Sequence, residues 1–353
     1  MNTPLVVLDW LRLQANIQDM ASFAQKQGLM LRPHIKAHKS VGIARLQESF
    51  GVTGFTVAKL SEAEEMCKAG FLDITVAFPL IGQEKLHRLV KLLKGGCRVS
   101  VIVDSHEGLK GFSSLDYPGG MDVLVEVDSG LARCGLEPGE GLYRFVEAVT
   151  RTSGVNFKGV LTHAGHAYAA ADLAEVKRIG QHEGQLMVEV ANELRRRGIP
   201  VDVVSVGSTP TAKFAGEVPG VTEIRPGNYV FYDATQVALG VAEQEQCSLK
   251  VIATVVSKPT PARAVIDAGA KVLALDRGAH GSSSIQGHGL LSNPQWRLSR
   301  LSEEHGIVEG ENLPKIGDII EIIPNHACPV INLRDSIITE DGILTITMRG
   351  CSQ

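Results

Sequence analysis

Between about residue 28 and residue 232 the chain repeats one pattern, a short β-branched run followed by a stretch of helical character. That repetition limits its possible folds more than any other feature. The runs fall at 29–33, 53–57, 74–78, 98–103, 122–127, 158–162, 202–206 and 222–225. Among the intervening segments, 61–69 opens with Ser61 and Glu64 at capping-box spacing and closes at Gly70. Segments 139–150 and 172–197 have the same helical character, the second ending at Gly198 and Pro200. Near-continuous apolar strands joined by helices require a parallel sheet covered on both faces. Eight such units favour a closed (β/α)8 barrel of the TIM type, with an open doubly wound sheet as the alternative.

After Asp233 the pattern changes. The stretch CSLKVIATVVSKPTPARAVIDAG reads as two strands around a proline-containing turn, and DIIEIIP and GILTITMRG read as further strands with no helix between them. The expected organisation is a cofactor-binding barrel over residues 10–233 followed by a mostly β domain over 234–353, which the N-terminal strand within 1–9 joins. The segment 278–302, rich in Gly, Ser and His, reads as a long surface loop. A chain of 353 residues has room for both domains.

With 21% charged and 44% apolar residues and a net charge of −4, the chain resembles an ordinary soluble protein and gives no reason to expect nucleic acid or a membrane surface as partner. No apolar run approaches the roughly 18 residues of a membrane span. The opening MNTPLVVLDWLRLQ lacks the features of a signal peptide, so the expected location is the cytoplasm. Cys67, Cys97, Cys134, Cys247, Cys328 and Cys351 form no C-x-x-C pair, so neither a disulfide framework nor a zinc ribbon is expected, and most should be reduced packing residues.

In a barrel of this type the working residues sit at the C-terminal ends of the strands. Here those ends are polar: RPHIKAHK, EVDSGLARCG, LTHAGHAY, SVGSTPT and IRPGNYVFYD. A lysine at such an end can be desolvated enough to lose its proton and condense with an aldehyde, which is one reading of Lys36; a solvated charge at a helix start is the other. A phosphate needs backbone N–H donors and small hydroxyl side chains, and Gly207, Ser208 and Thr209 offer these, as do Gly227 and Asn228 on the neighbouring strand. Lys36 across the barrel from that pair of turns points to a phosphorylated aldehyde cofactor. His163 and Tyr168, with His166 near them, can pack against a pyridine ring or serve as hydrogen-bonded structural residues. Arg133 and Arg225 can offset cofactor or substrate charge, or be salt-bridged. In PNHACPVINLRD, His326 and Cys328 stand two apart, and in an extended strand they would face one metal ion together. An imidazole and a thiolate suit zinc, and two protein ligands leave positions open, although H-x-C alone is a common accident.

Taken together, RPHIKAHK, GSTPT, IRPGNYVFYD and NHAC resemble the fold-type III pyridoxal-phosphate enzymes, and within them the D-threonine aldolase and D-serine dehydratase family, over nearly the whole chain. The resemblance implies that Lys36 carries pyridoxal 5′-phosphate, that the GSTPT and PGN segments hold its phosphate, and that His326 and Cys328 bind a divalent metal. In that family cysteine at the second ligand position accompanies zinc-dependent dehydratases, and aspartate some manganese-activated aldolases, so zinc is favoured with manganese as the alternative. Racemases of this fold use a tyrosine in the β domain, and this chain has none after Tyr232. Pyridoxal-phosphate carriers that are not enzymes lack a second domain. The implied activity is a lyase reaction on D-β-hydroxy-α-amino acids. The wording NHACPVINL favours D-threonine aldolase, which yields glycine and an aldehyde; dehydration to a 2-oxo acid and ammonia, as with D-serine or D-threo-3-hydroxyaspartate, is the alternative. The resemblance also implies a homodimer.

Overall fold

In the computed structural model, which describes residues 2–115, 117–279 and 285–353, all eight repeated units join one sheet. After β1 (Leu5–Leu8) come β2 (Met30–Leu31), β3 (Phe55–Val57), β4 (Asp73–Val76), β5 (Arg98–Val103), β6 (Met121–Glu126), β7 (Val155–Leu161), β8 (Val203–Val206) and β9 (Glu223–Ile224). The strands from β2 to β9 are parallel neighbours in the order β2-β9-β8-β7-β6-β5-β4-β3. The two ends of this order meet. His34, just past β2, forms a parallel bridge with Thr56 of β3, and Thr56 donates its N–H to the Pro33 carbonyl at 2.8 Å. The sheet is a closed barrel, and the open doubly wound alternative falls.

Helices cover the outside because their apolar residues recur at helical spacing. Glu140–Arg151 buries Leu142, Phe145, Val146 and Val149, each worth about 1.5–3 kcal/mol of transfer free energy when fully buried. Leu173–Arg196 starts at Asp172, whose carboxylate accepts the Glu175 N–H at 2.8 Å, and Gly198 follows it at φ 78°. The helix Leu60–Lys68 corrects one expectation: Ser61 and Glu64 do not cap it. Glu62 accepts the N–H groups of Ala58 and Lys59 at 2.7 and 3.2 Å, so the cap lies two residues earlier. Glu64 is instead drawn outward to Arg88 at 2.7 Å. Cys67 and Cys97 are joined in a disulfide, which corrects the expectation of unpaired thiols for these two: consecutive units of the barrel bring them side by side. Cys134, Cys247, Cys328 and Cys351 are free.

The second sheet is built from β1 with β10 (Leu249–Thr260), β11 (Arg263–Ile266), β12 (Gly289–Leu291), β13 (Arg297–Leu301), β14 (Gly306–Glu309), β15 (Ile319–Pro324), β16 (Ser336–Thr339) and β17 (Gly342–Thr345). The long β10 is its spine, pairing antiparallel with β1, β11 and β15. Two expectations are corrected here. The stretch 278–302 is not simply a loop: β12 and β13 lie in it, held by β15 and β14, while 280–284 fall outside the described residues. A short helix, Ala327–Asn332, also stands between β15 and the last hairpin. Among the described residues no helix is long and apolar enough to cross a membrane.

The barrel interior is divided. Ile102, Leu124 and Leu161 pack together on β5 to β7, whereas near the seam the buried groups are Arg32, Thr56, Thr75, Ser205 and Glu223. Arg32 donates through Nε to Glu223 at 2.6 Å and through a terminal nitrogen to Asp73 at 2.6 Å, so its charge ties β2 to β9 on one side and to β4 across the seam. Removing one partner of a buried ion pair leaves the other uncompensated. Arg32→Ala is therefore expected to destabilise the fold by about 3–5 kcal/mol, read as a lower urea midpoint; a midpoint unchanged from the parent would show that the seam does not depend on this charge.

Candidate active site

The seam delivers Lys36 to the barrel mouth. His34 donates its backbone N–H to the Pro226 carbonyl at 3.0 Å, anchoring the chain as it leaves β2, and a single 3-10 turn, Ile35–Ala37, follows. Beyond it the C-terminal tail pins the chain. Met348 donates its N–H to the Lys39 carbonyl at 2.9 Å, and Lys39 Nζ reaches the Cys351 carbonyl at 2.8 Å and Glu62 at 3.0 Å. Of the two lysines in RPHIKAHK, Lys39 is thus a structural clasp. The Lys36 ammonium makes no hydrogen bond or ion pair among the described residues. Burial lowers its pKa from the ordinary lysine value; Arg133 and Arg225 push the same way, and Cys328 and Glu62 oppose them. His34, wholly buried, is held well below the ordinary imidazole range by burial and by the charges of Lys36 and Arg225.

Next to β2 in the barrel, β9 ends at Arg225, whose Nε donates to Ser205 Oγ at 2.7 Å and whose guanidinium also donates to the Thr162 carbonyl. Ser205 Oγ in turn donates to Glu223 at 2.6 Å. The polar row Arg32, Glu223, Ser205, Arg225 therefore runs from the seam to the site and fixes a positive charge in its floor.

Two turns flank that floor. Gly207 has φ 105°, a conformation that favours glycine, and its N–H donates to Glu183 Oε1 at 2.8 Å. The other oxygen of Glu183 accepts from Thr211 at 2.7 Å, and Thr211 Oγ1 accepts the Ser208 N–H at 3.2 Å, so one buried carboxylate of the helix Leu173–Arg196 shapes the whole GSTPT turn. Thr209 Oγ1 accepts the Tyr229 N–H at 3.2 Å, linking this turn to the next. There, a Cβ on Gly227 would stand 2.9 Å from the His34 carbonyl oxygen, so only glycine lets the turn approach the Lys36 strand. The backbone N–H groups of Gly227 and Asn228 have no acceptor among the described residues.

From the other sheet, the segment after β15 brings His326 and Cys328. Expected to present this pair along a strand, the chain instead turns at His326, which precedes the helix Ala327–Asn332 with φ −143°, and Cys328 lies in that helix's first turn. The reason is Asp233, whose Oδ2 accepts the Ala327 N–H at 3.0 Å and so starts a helix there. His326 Nδ1 lies 2.9 Å from Asp276 Oδ2. With Nδ1 turned to Asp276, Nε2 is the ring nitrogen left for another partner, the usual arrangement behind a metal-ligating histidine. Burial draws the His326 imidazole down, but the Cys328 sulfur, Asp276 and Asp233 outweigh it and push its pKa up to about 10, so this corner of the site attracts positive charge.

These elements enclose a cavity of about 370 Å³. Lys36, His163, Tyr168, Ser208, Thr209, Arg225, Gly227, Asn228, His326 and Cys328 all line it, and Gly207 lies immediately behind Ser208. Burial, with Cys328 and Asp233 close by, holds the Tyr168 phenol well above its ordinary pKa. Arg133 is the exception among the sequence candidates: it is exposed, does not line the cavity, and pairs with Glu126 at 3.7 Å. His166 lines a separate hollow of about 300 Å³ with Glu175 and His182. Sequence reasoning missed His34 and Ala279 in the lining and Glu183, Asp233 and Asp276 behind it. A larger cleft of about 720 Å³ opens at the opposite end of the barrel, but no titratable side chain lines it. Asp104, Glu126 and Cys134 bring ligand atoms within 4.8 Å of one another outside the cavity, where the Arg133 guanidinium already faces Glu126.

Residues 8–235 match the family described as alanine racemase, N-terminal domain, and residues 248–339 match the putative serine dehydratase domain. The chain is 35% identical to a D-threo-3-hydroxyaspartate dehydratase of Delftia sp. (strain HT23), covering 93% of this chain and 91% of that protein. A D-threonine aldolase from Filomicrobium marinum has a closely similar structure, with a TM-score of 0.90 at 31% identity, covering 100% of this chain and 97% of the other. Two variants of a D-threo-3-hydroxyaspartate dehydratase have structures similar to that of this chain, at 32% identity over 98% of it. A cysteine-to-alanine variant, solved in the metal-free form, has a TM-score of 0.88 and is covered to 97%; a variant at a histidine two positions earlier has a TM-score of 0.87 and is covered to 94%.

The buried setting of Lys36 generates a test that needs no ligand. Its acylation by a small amine reagent, followed by peptide mass spectrometry across pH, is expected to rise with a midpoint on the acid side of the exposed Lys68 and Lys271 in the same sample. A Lys36 midpoint equal to theirs would contradict its desolvation.

Proposed function

The chain belongs to the alanine racemase N-terminal domain family, in the branch whose named members are aldolases and dehydratases of D-amino acids, and is a lyase; from that premise we propose that it uses pyridoxal 5′-phosphate and a divalent metal to cleave D-β-hydroxy-α-amino acids. The observation that carries this reading is the convergence, in one cavity, of a desolvated lysine, two glycine-containing turns, the second with free N–H donors, and a His-x-Cys pair backed by a carboxylate. The residues fit a phosphorylated aldehyde. Gly227 leaves open a cradle that a Cβ would crowd, Ser208 and Thr209 offer hydroxyls, and the Gly227 and Asn228 N–H groups await an anion. Arg225 offsets negative charge from the floor, while His163 and Tyr168 supply flat surfaces for a ring. His326 Nε2 and Cys328 Sγ are the donors for the metal, and nitrogen with sulfur favours zinc, with manganese as the alternative.

Bound there, the cofactor supplies an electron sink for a carbanion at Cα and the metal a Lewis acid. Lys36 Nζ is the group that would hold the cofactor's aldehyde, and its amine, when not so engaged, would handle a proton at Cα. In aldol cleavage the β-hydroxyl would give its proton to solvent water as the Cα–Cβ bond breaks with its electron pair left on Cα, and Lys36 as the ammonium would supply the proton that Cα gains, so that glycine and an aldehyde leave. In dehydration Lys36 would remove the Cα proton, the β-oxygen would take a proton and leave as water, and hydrolysis of the remaining enamine by a second water would give a 2-oxo acid and ammonia. Aldol cleavage of D-threonine is the first reading, supported by the NHACPVINL segment and by the likeness to the Filomicrobium aldolase along the full chain. Dehydration is the second, favoured by Cys328, because the D-threo-3-hydroxyaspartate dehydratase variants involve a histidine and a cysteine at the same two-residue spacing. The same membership extends the proposal to a homodimer. Exposed Leu333, Ile338 and Ile343 on the β layer favour a partner there, which sedimentation velocity would test.

Products from D-threonine and D-serine decide the reaction. Acetaldehyde with glycine establishes the aldolase, and 2-oxobutanoate or pyruvate with ammonia the dehydratase. No turnover of any D-β-hydroxy amino acid by cofactor- and zinc-loaded protein would overturn the proposal. Lys36→Ala is expected to remove the borohydride-reducible adduct from mass spectra, and an adduct that persists would move the lysine elsewhere. His326→Ala should lower kcat by about 10²-fold or more while leaving cofactor bound, because the metal contributes several kcal/mol of charge stabilisation; full activity after chelation would remove the metal from the mechanism.

A further inference from the structure

Asp233 is fully buried, and its carboxylate collects donors from three separate segments. Asn228 Nδ2, in the second anion-binding turn, reaches Oδ2 at 2.5 Å, and the Ala327 N–H, between His326 and Cys328, reaches the same oxygen at 3.0 Å. The Gln236 N–H reaches Oδ1 at 3.2 Å. Beside it Thr235 repeats the tie, its N–H and hydroxyl both donating to the Asn325 carbonyl at 3.3 and 2.6 Å. Asn325 Nδ2 then donates to the carbonyls of Asp276 and Arg277, at 3.2 Å each, in the segment whose Asp276 carboxylate orients His326.

We propose that Asp233 is a positioning residue that couples the Asn228 turn to the His326 and Cys328 pair, so that a phosphate-bearing cofactor and a metal each bind more tightly when the other is present. The inference rests on the reading of the cavity given above. A buried carboxylate cannot turn to water when one of its donors moves, so the segments that donate to it keep a common geometry. Because Asn228 and Ala327 share one oxygen, an anion that fixes the Asn228 turn also fixes Oδ2, and Oδ2 holds the peptide between the two metal ligands. The ordering is done once, by whichever ligand arrives first, and the second binds a site already ordered. Linkage requires the enhancement to be equal in both directions.

The test uses the full chain freed of cofactor and metal. Pyridoxal phosphate is titrated by absorbance with and without saturating zinc, and zinc by calorimetry with and without saturating pyridoxal phosphate. The wild type is expected to show the same tightening in both experiments, about 5- to 30-fold. D233N, whose amide keeps one acceptor oxygen and sets its NH2 against at least one of the three donors, is expected to bring the factor close to one while each ligand alone still binds. A stabilising residue with no coupling role would weaken binding without changing that ratio. If D233N does not fold by circular dichroism, N228S removes the Nδ2 donor, keeps the backbone N–H, and should lose the same factor. Both ligands binding the wild type with a factor of one, or the factor surviving in a folded D233N or in N228S, overturns the proposal. Failure of the wild type to bind either ligand overturns the functional reading, and this one with it.

Discussion

A barrel of eight parallel strands has to be closed where the two ends of its strand order meet, and here those strands, β2 and β3, are too short to do it by ladder hydrogen bonds alone. Strand β2 offers two residues and β3 three, and beyond them the seam rests on the His34–Thr56 bridge and on Thr56 Oγ1 donating to the Arg32 carbonyl at 3.0 Å. The Arg32 side chain completes it, reaching Glu223 and Asp73 from the interior. A guanidinium inside a barrel is tolerated only when paired, and pairing it with Glu223 commits β9 to carry a carboxylate inward. Ser205 then sits between Glu223 and Arg225, and the positive charge at the site floor follows from the charge that closes the seam. The same closure sets the exit of β2, and with it the position of Lys36.

The β layer contributes the other half of the site without entering the barrel. Strand β1, although it comes first, pairs with β10 and β16, so the chain is threaded through the β layer before it winds the barrel. The tail from Thr345 onward returns to the Lys36 segment, where the Thr345 carbonyl accepts from Ser40 Oγ at 3.0 Å and Met348 donates to the Lys39 carbonyl. Both ends of the chain therefore hold the two halves of the cavity in register. A pair such as His326 and Cys328 is useful only at a fixed distance from Lys36, and contacts from both termini and from Asp233 supply that fixity.

The barrel was legible because parallel strands buried on both faces leave long apolar runs, and helices ending at Gly70 or Gly198 leave punctuation. The glycines of GSTPT and PGN were legible because close approach of a backbone demands them. What escaped was decided by partners far away in sequence. Glu183 lies among ordinary helix residues, and only the Gly207 N–H beside it, 24 positions on, makes it part of the site. Asp233 and Asp276 are single acidic residues until Ala327 and His326 arrive. The spacing of His326 and Cys328 suggested a strand because period two is the simplest way to bring alternate residues together; the helix start imposed by Asp233 achieves it by another backbone path. The stretch 278–302 read as a loop because Gly and Ser hide strand propensity, yet β12 and β13 each pair with an apolar neighbour strand.

The two reactions open to such a site differ less at the cofactor end than at the far end of the substrate. On the proposed reading both would use Lys36, the Gly207 and Gly227 turns and a proton exchanged at Cα, and these residues come from the barrel. They part at Cβ, where one breaks the bond to Cα and the other the bond to oxygen, and the proposed metal donors, His326 and Cys328, come from the β layer. A fold that assigns the shared chemistry to one sheet and the divergent chemistry to another can change reaction by altering a few residues around His326 and Cys328 while the barrel end stays as it is. That division accounts for an aldolase and a dehydratase both superposing on this chain over nearly its whole length. On the proposed reading, the residues to compare between the two reactions are those that the β layer brings to the mouth, beside Ala279 and the His326 turn.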